Sequence, residues 1–143
     1  MIVKEANVVW KGDGKTGQGT ISTQSKVLND APYGFTARFE GGPGTNPEEL
    51  IGAAHSGCFT MAMAFALAEA GFKATEMKTS AKVSLDKEGA GFAIKSIQLT
   101  LNAVIPEIDD KKFQEIAAGA KTNCPVSKAL SAVPISLEAT LAK

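Results

Sequence analysis

The sequence predicts an α+β fold in a single domain that spans residues 1–143. Segments that alternate between apolar and polar residues lie towards both ends of the chain, and a long apolar run with helix signals lies between them. The composition supports a buried core, because 143 residues with 44% hydrophobic side chains need no disulfide or metal to fold. The predicted order is a β-meander, a long central helix, a β-hairpin, further helices and a last strand.

The N-terminal third has the pattern of a β-meander. Residues Ile2 to Trp10 and Thr20 to Ser22 are strand-like, and four closely spaced glycines between them predict a turn. Gly12, Gly14 and Gly17 match the GxGxxG phosphate-binding pattern, but no apolar strand leads into a helix there and the GxxxxGK pattern is absent, so a hairpin is the better interpretation. Tyr33 to Glu40 is predicted to be a third short strand, which ends at a turn rich in glycine.

The clearest element is a helix that begins at Pro47. Asn46 is a suitable N-cap, Pro47 suits the first helical position, and Glu49 follows the cap at the spacing of a capping box. Helix-forming residues continue to Ala70, and Gly71 can adopt the left-handed conformation that ends a helix. Apolar and small residues surround the middle of this helix, so we expect it to be buried on all sides rather than to span a membrane.

The second half of the sequence predicts a hairpin, two helices and a strand. Thr79–Leu85 and Phe92–Ile105 alternate like strands and are joined by a polar turn. Apolar residues then recur at helical spacing up to Ala120. The remaining predicted features are Asp109 as the cap of that helix, a short helix from Pro125 to about Ser131, and a last strand at Ile135–Leu141.

Charge and composition exclude several classes of function. Fifteen basic residues balance fifteen acidic ones, which argues against a nucleic-acid surface. Two cysteines and one histidine cannot supply four ligands to a zinc ion. The first ten residues lack a basic start followed by a long apolar run, so the cytoplasm is the expected location. Thiols stay reduced there, so a disulfide between Cys58 and Cys124 is expected to be transient and functional.

The two cysteines are the first candidates for chemistry. Cys58 lies near the middle of the long helix, where a cysteine often only fills the core. Cys124 directly precedes Pro125 and therefore occupies a predicted N-cap, where amide groups and the helix dipole lower the pKa of a thiol. Two such thiols suit a redox cycle in which one is oxidised and the other resolves it. From local physics alone, Cys124 is the more acidic and attacking thiol.

A thiolate at Cys58 requires a cation nearby, and Arg38 is the only arginine in the sequence. Its guanidinium is planar and permanently charged, so it can hold a thiolate and a carboxylate together. The alternative is an ordinary charge on a strand face beside Glu40.

Two segments of the sequence resemble the OsmC/Ohr family of thiol peroxidases. They are YGFTARFEGGPGTNPEELIGAAHSGCFTMA at Tyr33–Ala62 and NCPVSKAL at Asn123–Leu130, and SLDKEGAGFAI at Ser84–Ile94 extends the resemblance. TNPEEL, a cysteine within a helix and a late CPVS form a specific combination. The resemblance implies an OsmC-like fold, an intertwined homodimer and a peroxidase that reduces organic hydroperoxides in oxidative and osmotic stress defence.

The same resemblance implies roles for four residues. Cys58 corresponds to the peroxidatic thiol and Cys124 to the resolving thiol. Arg38 resembles the catalytic arginine of the family, and Glu48 the carboxylate that orients it. This reverses the assignment from local physics, because an acidic Cys124 is then the better leaving thiolate. The implied cycle uses no metal or flavin cofactor, only an external dithiol such as dihydrolipoamide on lipoylated enzymes.

The spacing between Glu48 and Cys58 leaves two arrangements open. Ten residues of a continuous helix correspond to about 15 Å along its axis, so Glu48 cannot reach the thiol of its own chain. Either the helix breaks, with Gly52 and Gly57 as weak candidates, or a second subunit supplies the carboxylate and its arginine. The dimer is favoured, because a helix that is apolar all round needs more burial than a small meander supplies.

Two other functions are also compatible with the sequence. His55 lies three residues before Cys58, so a Cys-His nucleophile for thioester hydrolysis is conceivable. That hydrolase would leave Cys124 without a role. The other alternative is a non-catalytic module that binds a small ligand in an apolar pocket. We interpret the nearby apolar side chains mainly as core and only secondarily as a pocket wall: Phe59, Met61, Met63 and Phe65.

Overall fold

An antiparallel sheet of three strands lies in the first of two compact units, Met1–Leu50 and Ile51–Lys143. In the computed structural model, which describes residues 1–142, its strands are β1 (Ala6–Lys11), β2 (Gln18–Thr23) and β3 (Ala31–Tyr33). The predicted β-meander is confirmed. Strand β1 begins at Ala6 rather than Ile2, because β2 ends at the residue that pairs with Ala6. The expectation of one domain over residues 1–143 stays a prediction.

Residues Phe35–Phe39 form a short helix, α1, where a strand was expected. The Arg38 N–H donates to the carbonyl of Gly34 at 3.1 Å, and the two phenylalanine rings lie on one helix face with centroids 4.9 Å apart. The predicted strand at Tyr33–Glu40 is therefore wrong beyond Tyr33. Five residues without strict alternation carry too little periodicity to separate a helix from a strand.

Helix α2 runs without a break over Pro47–Glu69. The side chain of Asn46 accepts a hydrogen bond from the Glu49 N–H at 2.8 Å, which confirms the predicted N-cap. The Glu49 carboxylate accepts from the Thr45 hydroxyl at 2.8 Å, so this contact replaces the second half of the predicted capping box. Gly71 has a φ of 86°, in the left-handed region, and follows the helix end as expected.

A mixed sheet of three strands lies in the second unit. Strands β4 (Glu76–Glu88) and β5 (Gly91–Val104) form the predicted antiparallel hairpin, and β6 (Ile135–Leu141) pairs with β5 in parallel. Strand β4 is longer than expected, since polar residues near the turn continue the ladder to the pair Glu88 and Gly91, whereas β5 has the predicted length and begins one residue earlier. The last strand is confirmed at the predicted residues Ile135–Leu141, but nothing in the sequence indicated that it pairs with β5 in parallel.

Helices α3 (Asp110–Asn123) and α4 (Pro125–Ala129) follow the hairpin. Asp109 caps α3 by accepting from the Lys112 N–H at 2.8 Å, as predicted. Cys124 ends α3 and begins α4, so its predicted N-cap position is also confirmed. The core of this unit combines side chains from α2, β5, α3 and the start of α4: Phe59, Met63, Leu67, Leu99, Leu101, Phe113, Ala117 and Cys124.

One face of α2 packs on this core and the other is open in the chain alone. Phe59 and Met63 are fully buried, whereas Met61 is 64% exposed and Phe65 is 68% exposed. The prediction that α2 is buried on all sides is therefore wrong for a single chain, because the sheet and helices of the unit cover only one face. By length and composition α2 could cross a bilayer, a property that it shares with core helices of water-soluble proteins.

Candidate active site

The fold brings the two cysteines together in the second unit. Cys58 comes from the middle of α2 and Cys124 from the junction of α3 and α4. Both are free thiols, and they lie close enough to interact, which raises the pKa of Cys58 and lowers that of Cys124. Cys58 is half-buried, whereas Cys124 has 0% of its surface exposed. A small oxidant can therefore approach Cys58 more readily than Cys124.

The first turn of α4 directs hydrogen-bond donors at both sulfurs. The Ser127 N–H donates to the Cys124 sulfur at 3.5 Å, and the Val126 N–H acts on both thiols. Burial works against ionisation of Cys124, but donors from Cys58, Ser127 and Val126 together hold the pKa of Cys124 below its ordinary value. Burial and the hydrogen bond to Cys124 raise the pKa of Cys58. Within the chain alone, the first proton therefore leaves Cys124, as local physics predicted.

Arg38 and Glu48 form a planar ion pair in the first unit. The Nε of Arg38 donates to Oε1 of Glu48 at 2.9 Å, and Nη2 donates to Oε2 at 2.8 Å. The hydrogen bonds to Glu48 raise the pKa of Arg38, so the guanidinium is permanently charged. The side chain of Glu48 is 10% exposed and that of Arg38 is 37% exposed. Glu48 thus fixes the plane of Arg38 while part of the cation stays open to another anion.

Helix α1 and the N-terminus of α2 carry this pair. Arg38 lies on α1, not on the strand face that was expected, and Glu48 lies in the first turn of α2. The side chain of Asn46 donates to the carbonyl of Ala37 at 3.2 Å and so ties α1 to the start of α2. A side chain that caps α2 therefore also positions the arginine.

The continuity of α2 excludes one of the two arrangements considered for Glu48 and Cys58. Since α2 has no interruption between Glu48 and Cys58, the possibility that the helix breaks there is wrong. Gly52 lies against β4, where a Cβ would make van der Waals contact with the carbonyl oxygen of Ala81 at 3.4 Å. The explanation that Glu48 and Arg38 act across a dimer stays open.

His55 makes a contact that the sequence did not predict. Its Nε2 lies 2.8 Å from the hydroxyl oxygen of Ser127, and both side chains are buried. The Cys-His pair required by the hydrolase alternative is absent among residues 1–142, since His55 bonds to Ser127 instead of Cys58. Ser127 itself was missed. Its position three residues after an N-cap cysteine was the available signal, because the N–H at that position bonds to the cap.

The apolar side chains near Cys58 divide into two sets. Phe59 and Met63 belong to the core, as expected. Met61 instead borders an open groove of about 450 Å³ between α2 and β4, and Phe65 is exposed one turn further along. In the part of the chain that the structure describes, no three metal-binding side chains of the His, Cys, Asp and Glu types lie together.

Comparisons with known proteins identify the family of this chain. Residues 40–138 match the family described as OsmC-like protein. The chain is 55% identical over 131 residues to Peroxiredoxin OsmC of Escherichia coli strain K12, with 92% of each sequence covered. It is 31% identical over 112 residues to Organic hydroperoxide resistance protein OhrB of Bacillus subtilis strain 168, which covers 78% of this chain and 80% of that protein.

A solved structure gives the same result for the fold. The crystal structure of OhrB of Bacillus subtilis matches with a TM-score of 0.71 and 29% identity, and the match covers 96% of this chain and 98% of that one. The predicted α+β fold and the resemblance drawn from the sequence are both confirmed. This chain belongs to the OsmC-like protein family.

Proposed function

We propose that this peroxidase of peroxide stress defence reduces organic hydroperoxides to alcohols through a cycle of Cys58 and Cys124. The peroxidase class follows from its relatives, which are named peroxiredoxin and organic hydroperoxide resistance protein. One observation carries the two-thiol cycle. Two free cysteines lie close enough for each to shift the pKa of the other, and one of them is half-buried while the other is fully buried.

Cys58 is the peroxidatic thiol in this proposal. Its thiolate attacks the distal oxygen of the hydroperoxide, the O–O bond breaks, and the alkoxide takes a proton and leaves as the alcohol. The cysteine sulfur is oxidised to a sulfenic acid and the peroxide is reduced. The partial exposure of Cys58 supports this role, since the substrate must reach the attacking sulfur.

Cys124 is the resolving thiol. Its thiolate attacks the sulfenic sulfur of Cys58, a disulfide forms, and hydroxide leaves and is protonated to water. An external dithiol then reduces the disulfide, and the family resemblance favours dihydrolipoamide on lipoylated enzymes. The lowered pKa of Cys124 supports this role, because such a thiolate is available for condensation and leaves readily on reduction. The electrons pass only between sulfur and peroxide oxygen, so the cycle requires no prosthetic group.

The cation that Cys58 needs comes, in this proposal, from the Arg38–Glu48 pair of a second subunit. Within its own chain the pKa of Cys58 is raised, so the thiolate requires another positive charge. Glu48 stands about 15 Å from Cys58 along the unbroken helix. The exposed, uncharged face of α2 around Met61 and Phe65 supports a homodimer, because such a face is stable when a second copy covers it. The cytoplasm stays the predicted location.

Replacing each cysteine by serine tests the two roles. Cys58→Ser is expected to abolish peroxide turnover. Cys124→Ser is expected to consume one peroxide for each site, stop, and form sulfinic acid under excess peroxide, since nothing resolves the sulfenic acid. Peroxide consumption and intact mass measure both outcomes. Repeated turnover by Cys58→Ser, together with loss of the first reaction in Cys124→Ser, would reverse the roles.

Mixed dimers test the origin of the arginine. Subunits with Cys58→Ser are combined with subunits carrying Arg38→Ala, and each homodimer serves as an inactive control. If the arginine acts across the interface, the heterodimer holds one site with both residues intact and regains activity. Failure to regain activity, although heterodimers form by native mass spectrometry, would place Arg38 in the same chain as its thiol.

A further inference from the structure

A buried hydrogen-bonded chain leads from His55 to the sulfur of Cys124. The Nε2 of His55 lies 2.8 Å from the Ser127 hydroxyl oxygen, the Ser127 N–H donates to the Cys124 sulfur at 3.5 Å, and hydrogen bonding from the Ser127 side chain helps to lower the pKa of Cys124. His55 and Cys124 are both 0% exposed and Ser127 is 7% exposed. Water is thus excluded from three consecutive polar groups. The peroxidase cycle described above uses only the last of them.

The contacts determine which nitrogen of His55 carries the proton. An N–H is costlier to bury without a partner than a lone pair, so the ring proton lies on Nε2, which donates to the Ser127 oxygen. A neutral imidazole has one N–H, which leaves Nδ1 as a bare acceptor. The Nδ1 atom is buried with no partner among residues 1–142, which is tolerable for a lone pair and costly for a second N–H. Burial also lowers the pKa of His55, which keeps the ring neutral.

We propose that His55 and Ser127 are positioning residues for Cys124, which hold a hydroxyl donor on its sulfur so that negative charge forms there when the disulfide breaks. The proposal rests on the proposed function, in which Cys124 resolves the cycle. Val126 and Ser127 supply backbone donors to the same sulfur, but only the hydroxyl can rotate away. The imidazole N–H prevents that rotation, because it occupies the lone pair on the far side of the oxygen.

The step that benefits is the opening of the Cys58–Cys124 disulfide. A thiolate of the reducing dithiol attacks the Cys58 sulfur and forms a mixed disulfide, and the electron pair of the broken S–S bond moves to Cys124. The second thiolate of the reductant then attacks its own sulfur in the mixed disulfide and releases Cys58 as a thiolate. The reductant is oxidised and the protein reduced by two electrons. A leaving thiolate that already accepts a hydrogen bond makes the first attack faster.

The direct test is a titration of Cys124 without peroxide. In a Cys58→Ser background, ultraviolet absorbance of the thiolate against pH reports the one remaining thiol, and a variant without either cysteine provides the blank. Ser127→Ala is expected to lower the ionisation constant about tenfold, since one hydrogen bond to a charged group is lost. Ser127→Thr retains the hydroxyl and is expected to restore the wild-type curve. Thr122→Val is the matched control, because it removes a hydroxyl that bonds to the Ala118 carbonyl instead of acting on a thiol.

His55→Gln and His55→Leu test the rest of the chain. Glutamine can place an N–H near the position of Nε2, so it is expected to keep the Cys124 curve close to wild type, whereas leucine shifts it in the same direction as Ser127→Ala. Circular dichroism first establishes that each variant is folded. Superimposable curves for wild type, Ser127→Ala and His55→Leu would overturn the proposal, as would an equal shift in Thr122→Val.

Reduction of the preformed disulfide gives a second readout. With dithiothreitol as the reductant, the Ser127→Ala protein is expected to be reduced several-fold more slowly than the Ser127→Thr protein, since its leaving thiolate is more basic. Equal rates would count against the proposal. The titration needs no peroxide, so it fails independently of the proposed function, which fails if peroxide never joins Cys58 to Cys124.

Discussion

His55→Gln is expected to make the free energy of unfolding less dependent on pH in the mildly acidic range. His55 is the single histidine of the chain, and its ring is fully buried with Nε2 bonded to Ser127 and Nδ1 without a partner among residues 1–142. Burial lowers the pKa of His55 in the folded state. At mildly acidic pH the unfolded chain therefore binds a proton that the folded chain does not bind.

The sign and size of the effect follow from proton linkage. The ordinary pKa of histidine is 6.5, so the stabilisation from the neutral buried ring is complete above this pH. It decreases as pH falls below that value, until the folded protein also takes up the proton. The slope cannot exceed about 1.4 kcal/mol for each pH unit, since only one proton is involved. At about pH 5.5 the loss is expected to reach up to about 1.4 kcal/mol.

Urea unfolding followed by circular dichroism measures this at a series of pH values. The protein concentration is held constant, because any oligomer makes stability depend on concentration. The substitution itself lowers stability at every pH, so the informative quantity is the difference in slope between wild type and His55→Gln. Carboxylates contribute equally to both proteins and cancel. Parallel curves between neutral pH and about pH 5.5 would show that His55 takes up its proton without penalty and would refute this explanation.

Two further predictions concern the substrate side of the site. Arg38→Lys is expected to slow alkylation of Cys58 by iodoacetamide at neutral pH about tenfold, because an ammonium cannot hold a carboxylate and a thiolate in one plane. Superimposable alkylation profiles against pH would remove Arg38 from the mechanism. The value of kcat/KM is expected to rise from hydrogen peroxide through tert-butyl hydroperoxide to cumene hydroperoxide, since Met61 and Phe65 present an apolar surface on α2 and each buried methylene contributes up to about 0.8 kcal/mol. A flat series would exclude an apolar substrate pocket.

Sequence signals predicted the elements whose causes are local. Asn46, Asp109 and Cys124 each cap the helix that they were expected to cap, because a cap depends on the residue itself and on the next few positions. The same reasoning failed at Phe35–Phe39. That segment is too short to show a period, and its helix is held partly by the distant Asn46 side chain on the Ala37 carbonyl.

Local sequence patterns did not predict the contacts between segments that are distant in the sequence. Strand β6 pairs with β5 in parallel after two intervening helices, and His55 meets Ser127 across 72 positions of sequence. The local sequence around each of these segments does not indicate which distant segment it contacts. The pairing of Arg38 with Glu48 was expected only through the family resemblance, and the structure contains it as a planar ion pair. The exposed face of α2 was missed, since the composition of a helix does not reveal which neighbours cover it.

The two-thiol cycle is tested most directly by anaerobic titration of the reduced protein with one equivalent of cumene hydroperoxide, followed by intact mass measurement and peptide mapping. If Cys58 is oxidised and Cys124 resolves it, the product has lost two hydrogens and contains a disulfide between these two residues. The Cys124→Ser protein is the control and is expected to gain one oxygen at Cys58 instead. A wild-type protein that keeps both thiols after the peroxide is added would contradict the proposed cycle.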